Sequence, residues 1–154
     1  MTQGRRPSAA LLGADHHGPA SVALDIPADA SMVATARLVV GCLAAARREL
    51  SADRLDDLKL AVSEACANAI ASYDPDEEEP RVVLSWTEDE ELLAVTVTDR
   101  GQGYDGELGT WNGSGGLGVS LIRALVDEAH WEHGAPGTTV RMTLKCPRAI
   151  PDGD

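Results

Sequence analysis

DLKLAVSEACANAIASY, residues 57–73, has the spacing of an amphipathic helix. Leu58, Ala61, Val62, Ala65, Ala69 and Ile70 recur at helical intervals and form one apolar stripe. Glu64 and Asn68 sit four positions apart, so they project about 40° from one another and one turn apart along the axis. Ala65, Ala67, Ala69 and Ala71 leave open space beside them. A carboxylate can take a proton, and an amide oxygen can ligate a hard cation. An ordinary surface Glu/Asn pair has the same spacing, so the rest of the chain must decide between the two.

Working outward, Ser51, Ala52 and Asp53 break the preceding run and cap this helix. Pro75 stops it near Asp74. Upstream, residues 21–27 alternate Val22, Leu24 and Ile26 on one face and predict a strand. A second amphipathic helix follows to Leu50, through Met32, Val33, Ala36, Val40, Leu43 and Arg47, capped by Asp29 or Ser31. Downstream, residues 81–87 and 92–99 alternate around a turn at 88–91 and predict an antiparallel hairpin. Residues 100–118 are glycine-rich and aperiodic, and a loop of that length in a compact domain is usually functional or disordered. Residues 117–127 resume helical spacing, 129–132 read as a short strand, and 138–146 alternate Val140, Met142 and Leu144 as a last strand. The expected order is β-α-α-β-β-α-β-β. It predicts an α+β two-layer sandwich: one antiparallel or mixed, mostly antiparallel, sheet with helices on one face. Residues 1–20 are expected to be a disordered arm, 21–146 the domain and 147–154 a flexible tail.

The 154 residues fit one domain, which should bury roughly 70% of its unfolded surface. With 13 Lys and Arg against 25 Asp and Glu, the net charge is −12. That balance argues against general affinity for nucleic acid or anionic lipid and suits a partner with a basic surface. There is no Phe, so the core must be aliphatic. Cys42, Cys66 and Cys146 are widely spaced and form no CxxC; they are expected to be reduced and mostly buried. No apolar run approaches the ~18 residues of a membrane span. Arg5 and Arg6 precede no apolar run, which argues against a secretory signal. A cytoplasmic location is expected.

Two further polar sites fall at element ends. Asp99 closes an apolar alternation on the side of Val95 and Val97, and a carboxylate there needs a partner. Gly101 and Gly103 after it let backbone approach a flat ligand. A plain β-turn that starts with Asp looks alike. Residues 113–118, GSGGLG, open a helix, and a helix N-terminus favours phosphate. A Rossmann unit requires a strand directly before such a run, and residues 109–112 do not alternate. His16 and His17 have no further ligands nearby, and His130 and His133 fall on opposite faces of a strand, so both pairs read as structural or exposed.

Together, ExxxNA at Glu64–Ala69, DxGxG at Asp99–Gly103, GGLG at Gly115–Gly118 and GTT at Gly137–Thr139 resemble the N, G1 and G2 boxes and last strand of the GHKL (Bergerat-fold) ATPase superfamily. The small size, SEACANAI and GLGVSLIRALVDE are most similar to the bacterial anti-sigma-factor serine kinases of the RsbW and SpoIIAB type. The resemblance runs over about residues 20–146. It implies that Glu64 is the general base or aligner for an attacking serine hydroxyl and that Asn68 ligates Mg²⁺. It implies that Asp99 accepts from the adenine amino group of ATP while Gly101 and Gly103 give the base room. Ser114, Gly115, Gly116, Leu117 and Gly118 would wrap the phosphates, and Thr139, ahead of Thr138, would support the adenine site. The chain departs from the pattern at Ser72, where many members carry His, and at Tyr104 after the second box.

The resemblance further implies a homodimer that sequesters a sigma factor and phosphorylates a serine of an anti-anti-sigma (STAS-type) antagonist. A nucleotide-binding module that sequesters a partner without useful transfer is the alternative, and a small Rossmann-like oxidoreductase ranks far below both.

Overall fold

The computed structural model describes residues 20–47, 49–101, 115–134 and 137–146. Eight elements follow in the expected order: β1 (Ala20–Pro27), α1 (Met32–Ala45), α2 (Ala52–Ala71), β2 (Arg81–Glu88), β3 (Leu92–Asp99), α3 (Gly115–Leu125), β4 (Glu128–Gly134) and β5 (Gly137–Lys145). The strands form one sheet in the order β1-β2-β3-β5-β4. Each neighbouring pair is antiparallel, which settles the choice between an antiparallel and a mixed sheet. The expected arm and tail, His16–His17 and most of the glycine-rich loop lie outside the described residues.

The pleat decides which side chains meet. Register pairs Trp86 with Val95 and Val95 with Met142, and Leu84 with Val97 and Val97 with Val140. These residues are buried together with Ala36, Val40 and Ala44 of α1 and Leu58, Ala61, Val62, Ala65, Cys66 and Ala69 of α2. These apolar strand positions therefore face the helices. The other parity, with Ser85, Thr96, Thr98, Thr139 and Arg141, faces away.

α2 is the central helix. Ser51 caps it, its Oγ accepting from the Arg54 N–H at 3.2 Å. Cys66 belongs to its apolar stripe, in keeping with the small, hydrophobic character of a free thiol. Burial pushes that thiol up to about 12. Cys146 is buried as well, but Cys42 is exposed, contrary to expectation. The buried face of α1 is Ala36, Val40, Gly41 and Ala44, and two residues beyond Val40 a helix presents its far side.

α1 also stops at Ala45, short of Leu50. Arg47 turns instead to the β2–β3 hairpin, where its guanidinium reaches Glu88 at 3.2 Å and the Asp89 carbonyl at 2.7 Å. At the same end of the sheet, Arg54 at the start of α2 holds Asp127 at 2.7 Å and the Leu125 carbonyl at 3.3 Å. Asp127 also accepts from the Lys145 N–H at 2.7 Å. The Arg123 guanidinium lies 5.1 Å above the Trp131 ring. These contacts fix α3 between α2 and the β4–β5 edge. Among the described residues, no helix is long and apolar enough to cross a membrane.

Candidate nucleotide site

Asp99 is the buried charged residue of the described core, at 5% exposure. It stands at the C-terminal end of β3 and, by parity with Val95 and Val97, faces the helices. Its carboxylate accepts from the Gly101 N–H at 3.0 Å and from the Thr138 N–H. The Ser72 hydroxyl has one proton and two acceptors, the Ala69 carbonyl at 2.7 Å and the Asp99 carboxylate. Desolvation by burial raises the Asp99 pKa above the ordinary carboxylate value. The three donors and the charge of His133 pull in the other direction without cancelling it.

Backbone approach around Asp99 is tight. A β-carbon on Gly101 would lie 2.4 Å from Ser72 Oγ and 2.8 Å from the Ser72 carbonyl oxygen. Gly137 has φ +110°, and a β-carbon there would lie 1.9 Å from the Asp99 carbonyl oxygen. Glycine at both places lets the end of α2 and the start of β5 close on the Asp99 turn.

Ser72 caps α2 at its C-terminus. Asn68 is one turn earlier and Glu64 one turn earlier again, each about 6 Å further along the axis. Both are half-buried. The Asn68 carboxamide faces the first turn of α3: a β-carbon on Gly118 would lie 2.9 Å from Asn68 Nδ2 and 3.3 Å from Oδ1. One helical row thus runs from the Asp99 turn, through Asn68 against α3, to Glu64.

The structure brings Glu64, Asn68, Asp99, Gly101 and Gly118 to this row. Gly115, Gly116 and Leu117 open α3, with Leu117 84% exposed. Gly103, Ser114 and Tyr104 lie outside the described residues. Thr139 is not at the site. Its Oγ1 lies 3.1 Å from Thr98 Oγ1 on the face away from the helices. Thr138, with the parity of Val140 and Met142, is the threonine beside Asp99. His133 pairs with Thr138 in register and shares its face, with Nδ1 3.4 Å from Thr138 Oγ1. It is exposed, as the sequence suggested, and its ring lies beside the Thr138 hydroxyl.

This arrangement is a polar row with a buried, hydrogen-bonded carboxylate and close glycine backbone at one end. Its other end has a carboxamide and a carboxylate next to a helix N-terminus. Among the described residues no group of three or more His, Cys, Asp or Glu is placed to hold a metal ion.

Comparison with known proteins agrees with the geometry. Serine-protein kinase RsbW of Bacillus velezensis is 34% identical over 135 residues, covering 79% of this chain and 83% of that protein. The Bacillus subtilis protein of that name is 32% identical over 135 residues, with the same coverage of 79% and 83%. The solved RsbU and RsbW domains of a Mycobacterium tuberculosis protein superpose with a TM-score of 0.61 at 25% identity, over 84% of this chain and 34% of that longer one. A blue-light-activated histidine kinase domain from Erythrobacter litoralis shares the fold, with a TM-score of 0.56 at 23% identity over 79% of this chain and 62% of that one. Residues 26–144 match the histidine kinase-like ATPase domain, and the chain belongs to that family.

Proposed function

We propose that this protein is an ATP-dependent protein-serine kinase that doubles as an anti-sigma factor. It binds a sigma factor and transfers the γ-phosphoryl group of ATP to a serine of an anti-anti-sigma antagonist. The observation that carries this reading is the α2 row, which joins the Asp99 turn to Asn68, Gly118 and Glu64. A nucleoside triphosphate laid along it has its base against Asp99 and its phosphates between Asn68 and the start of α3.

Phosphoryl transfer rests on positioning and charge neutralisation. Asp99 accepts from the adenine amino group, and Gly101, with no side chain, lets the Asp99 turn seat against Ser72. The N–H groups at the start of α3 favour phosphate. Glu64 aligns the incoming serine hydroxyl and takes its proton as the serine oxygen bonds to phosphorus and ADP leaves.

A divalent cation fits the residues present. The Asn68 carboxamide is held where only the absence of a side chain at Gly118 makes room, and its oxygen is a hard ligand of the kind Mg²⁺ takes one or two of from protein. Bound there, Mg²⁺ would neutralise phosphate charge.

The acidic balance of −12 supports a partner with a basic surface such as a sigma factor. A homodimer in a cytoplasmic setting completes the reading. The test is to mix the protein with Mg-ATP and a candidate antagonist and look for phosphoserine. Transfer at the normal rate by Glu64→Gln would remove the catalytic assignment.

Ser72 favours a second reading, in which the protein binds nucleotide and sequesters its partner without useful transfer. Its hydroxyl is engaged at Ala69 and Asp99, at the Asp99 end of the row. ATP binding without any phosphoserine on any antagonist would select it.

A further inference from the structure

The Tyr73 hydroxyl joins three element ends. It donates to the carbonyl of Arg81, the first residue of β2. It accepts from the N–H of Arg100, directly after Asp99, at 2.8 Å. Tyr73 itself directly follows the C-cap of α2, and its ring packs against the core. One oxygen therefore ties the helix that bears Glu64 and Asn68 to the turn that bears Asp99. Neighbouring contacts are already at their limit, with Ser72 pressed against Gly101, so the turn has one seat on the helix, and the phenol fixes it there.

We infer that Tyr73 is a positioning residue for base recognition: it sets where the Asp99 carboxylate meets the adenine amino group. The inference rests on the nucleotide reading above and deepens it. A hydrogen bond depends steeply on distance and angle, and Asp99 is one residue from the anchored amide. Tyr73→Phe keeps the ring in the core and deletes only the oxygen. The Arg100 N–H then loses this partner and the turn gains freedom. Affinity should fall for a nucleotide whose 6-amino group Asp99 reads. It should hold for one that lacks that group, because phosphate contacts along Asn68 and α3 are untouched.

The experiment is calorimetry on the full chain with Mg-ATP and with purine riboside triphosphate, which lacks the 6-amino group. Tyr73→Phe should weaken ATP about fivefold and leave the purine analogue within about twofold, the size of one lost hydrogen bond. Exchange of the Arg100 amide should speed up in the variant by NMR. Unchanged ATP affinity overturns the inference. So does an equal loss for both nucleotides, which would make Tyr73 merely structural. Asp99→Asn with Tyr73 intact tests the underlying reading separately: wild-type ATP affinity in that variant would remove base recognition by Asp99, whatever Tyr73 does.

Discussion

Asn68 and Gly118 approach so closely that a β-carbon on the glycine would lie 2.9 Å from the carboxamide nitrogen and 3.3 Å from its oxygen. Gly118→Ala must therefore displace the carboxamide. The same substitution removes the helix penalty of glycine, at most about 1 kcal/mol and less in the first turn, where Gly118 stands. Stability and function should separate: a melting temperature at or above wild type, with Mg-ATP affinity weakened about tenfold by the misplaced ligand. Calorimetry with and without Mg²⁺ checks it, and the defect should be larger with the metal.

Glu64 lies one turn from Asn68 on the half-buried row, away from the base end. Glu64→Gln keeps the shape and removes the carboxylate proposed to take the proton. Nucleotide binding should stay near wild type while phosphoserine formation falls about 10²- to 10⁴-fold. Single-turnover transfer to an antagonist measures the chemical step apart from binding.

Much of this was legible in the chain. The α2 stripe and the β2–β3 alternation each obey one period, so burial followed directly. Thr138 and Thr139 show a signal that was present and outweighed. Val140, Met142 and Leu144 alternate inward, and that parity assigns Thr138 to the helix side and Thr139 to the other. Cys42 failed for the opposite reason: an apolar composition around α1 does not say which side of a helix a thiol occupies, and only the spacing from Val40 does. Ser72 and Tyr73 could not be placed by pattern, because their roles come from where the end of α2 meets β2 and β3. That meeting is set by sheet register over residues distant in sequence.

The two threonines give a paired test. Thr138 Oγ1 lies 3.4 Å from His133 Nδ1 and its N–H donates to Asp99, whereas Thr139 bonds Thr98 on the outer face. Thr139→Val should leave ATP affinity within about twofold and cost roughly 1 kcal/mol of stability for the lost hydroxyl pair. Thr138→Val should weaken ATP about threefold to tenfold, since it strips the hydroxyl beside the Asp99 turn. Parallel titrations and thermal melts check both, and the reverse order would return Thr139 to the site.

Asp99 links function to pH through its burial. Desolvation raises its folded pKa above the ordinary carboxylate value, and the N–H of Gly101, the Ser72 hydroxyl, the Thr138 N–H and the charge of His133 offset this only in part. A raised folded pKa means that the folded protein holds the proton more tightly than the unfolded chain. The associated stability is fully present below the unfolded pKa and is lost as pH rises through the folded one. The ionised carboxylate is the stronger acceptor for an adenine amino group, so ATP affinity should rise across that same window while the free protein loses stability. Asp99→Asn holds the neutral state at every pH. It should flatten the pH dependence of the melting temperature and raise that temperature by a few degrees, roughly, near neutrality. It should also weaken ATP about ten- to hundredfold, the worth of a hydrogen bond to a charged acceptor. Melts from acid to neutral pH, with calorimetry alongside, measure both effects in one protein. An Asp99→Asn variant that binds ATP normally would show that the carboxylate is buried for another purpose.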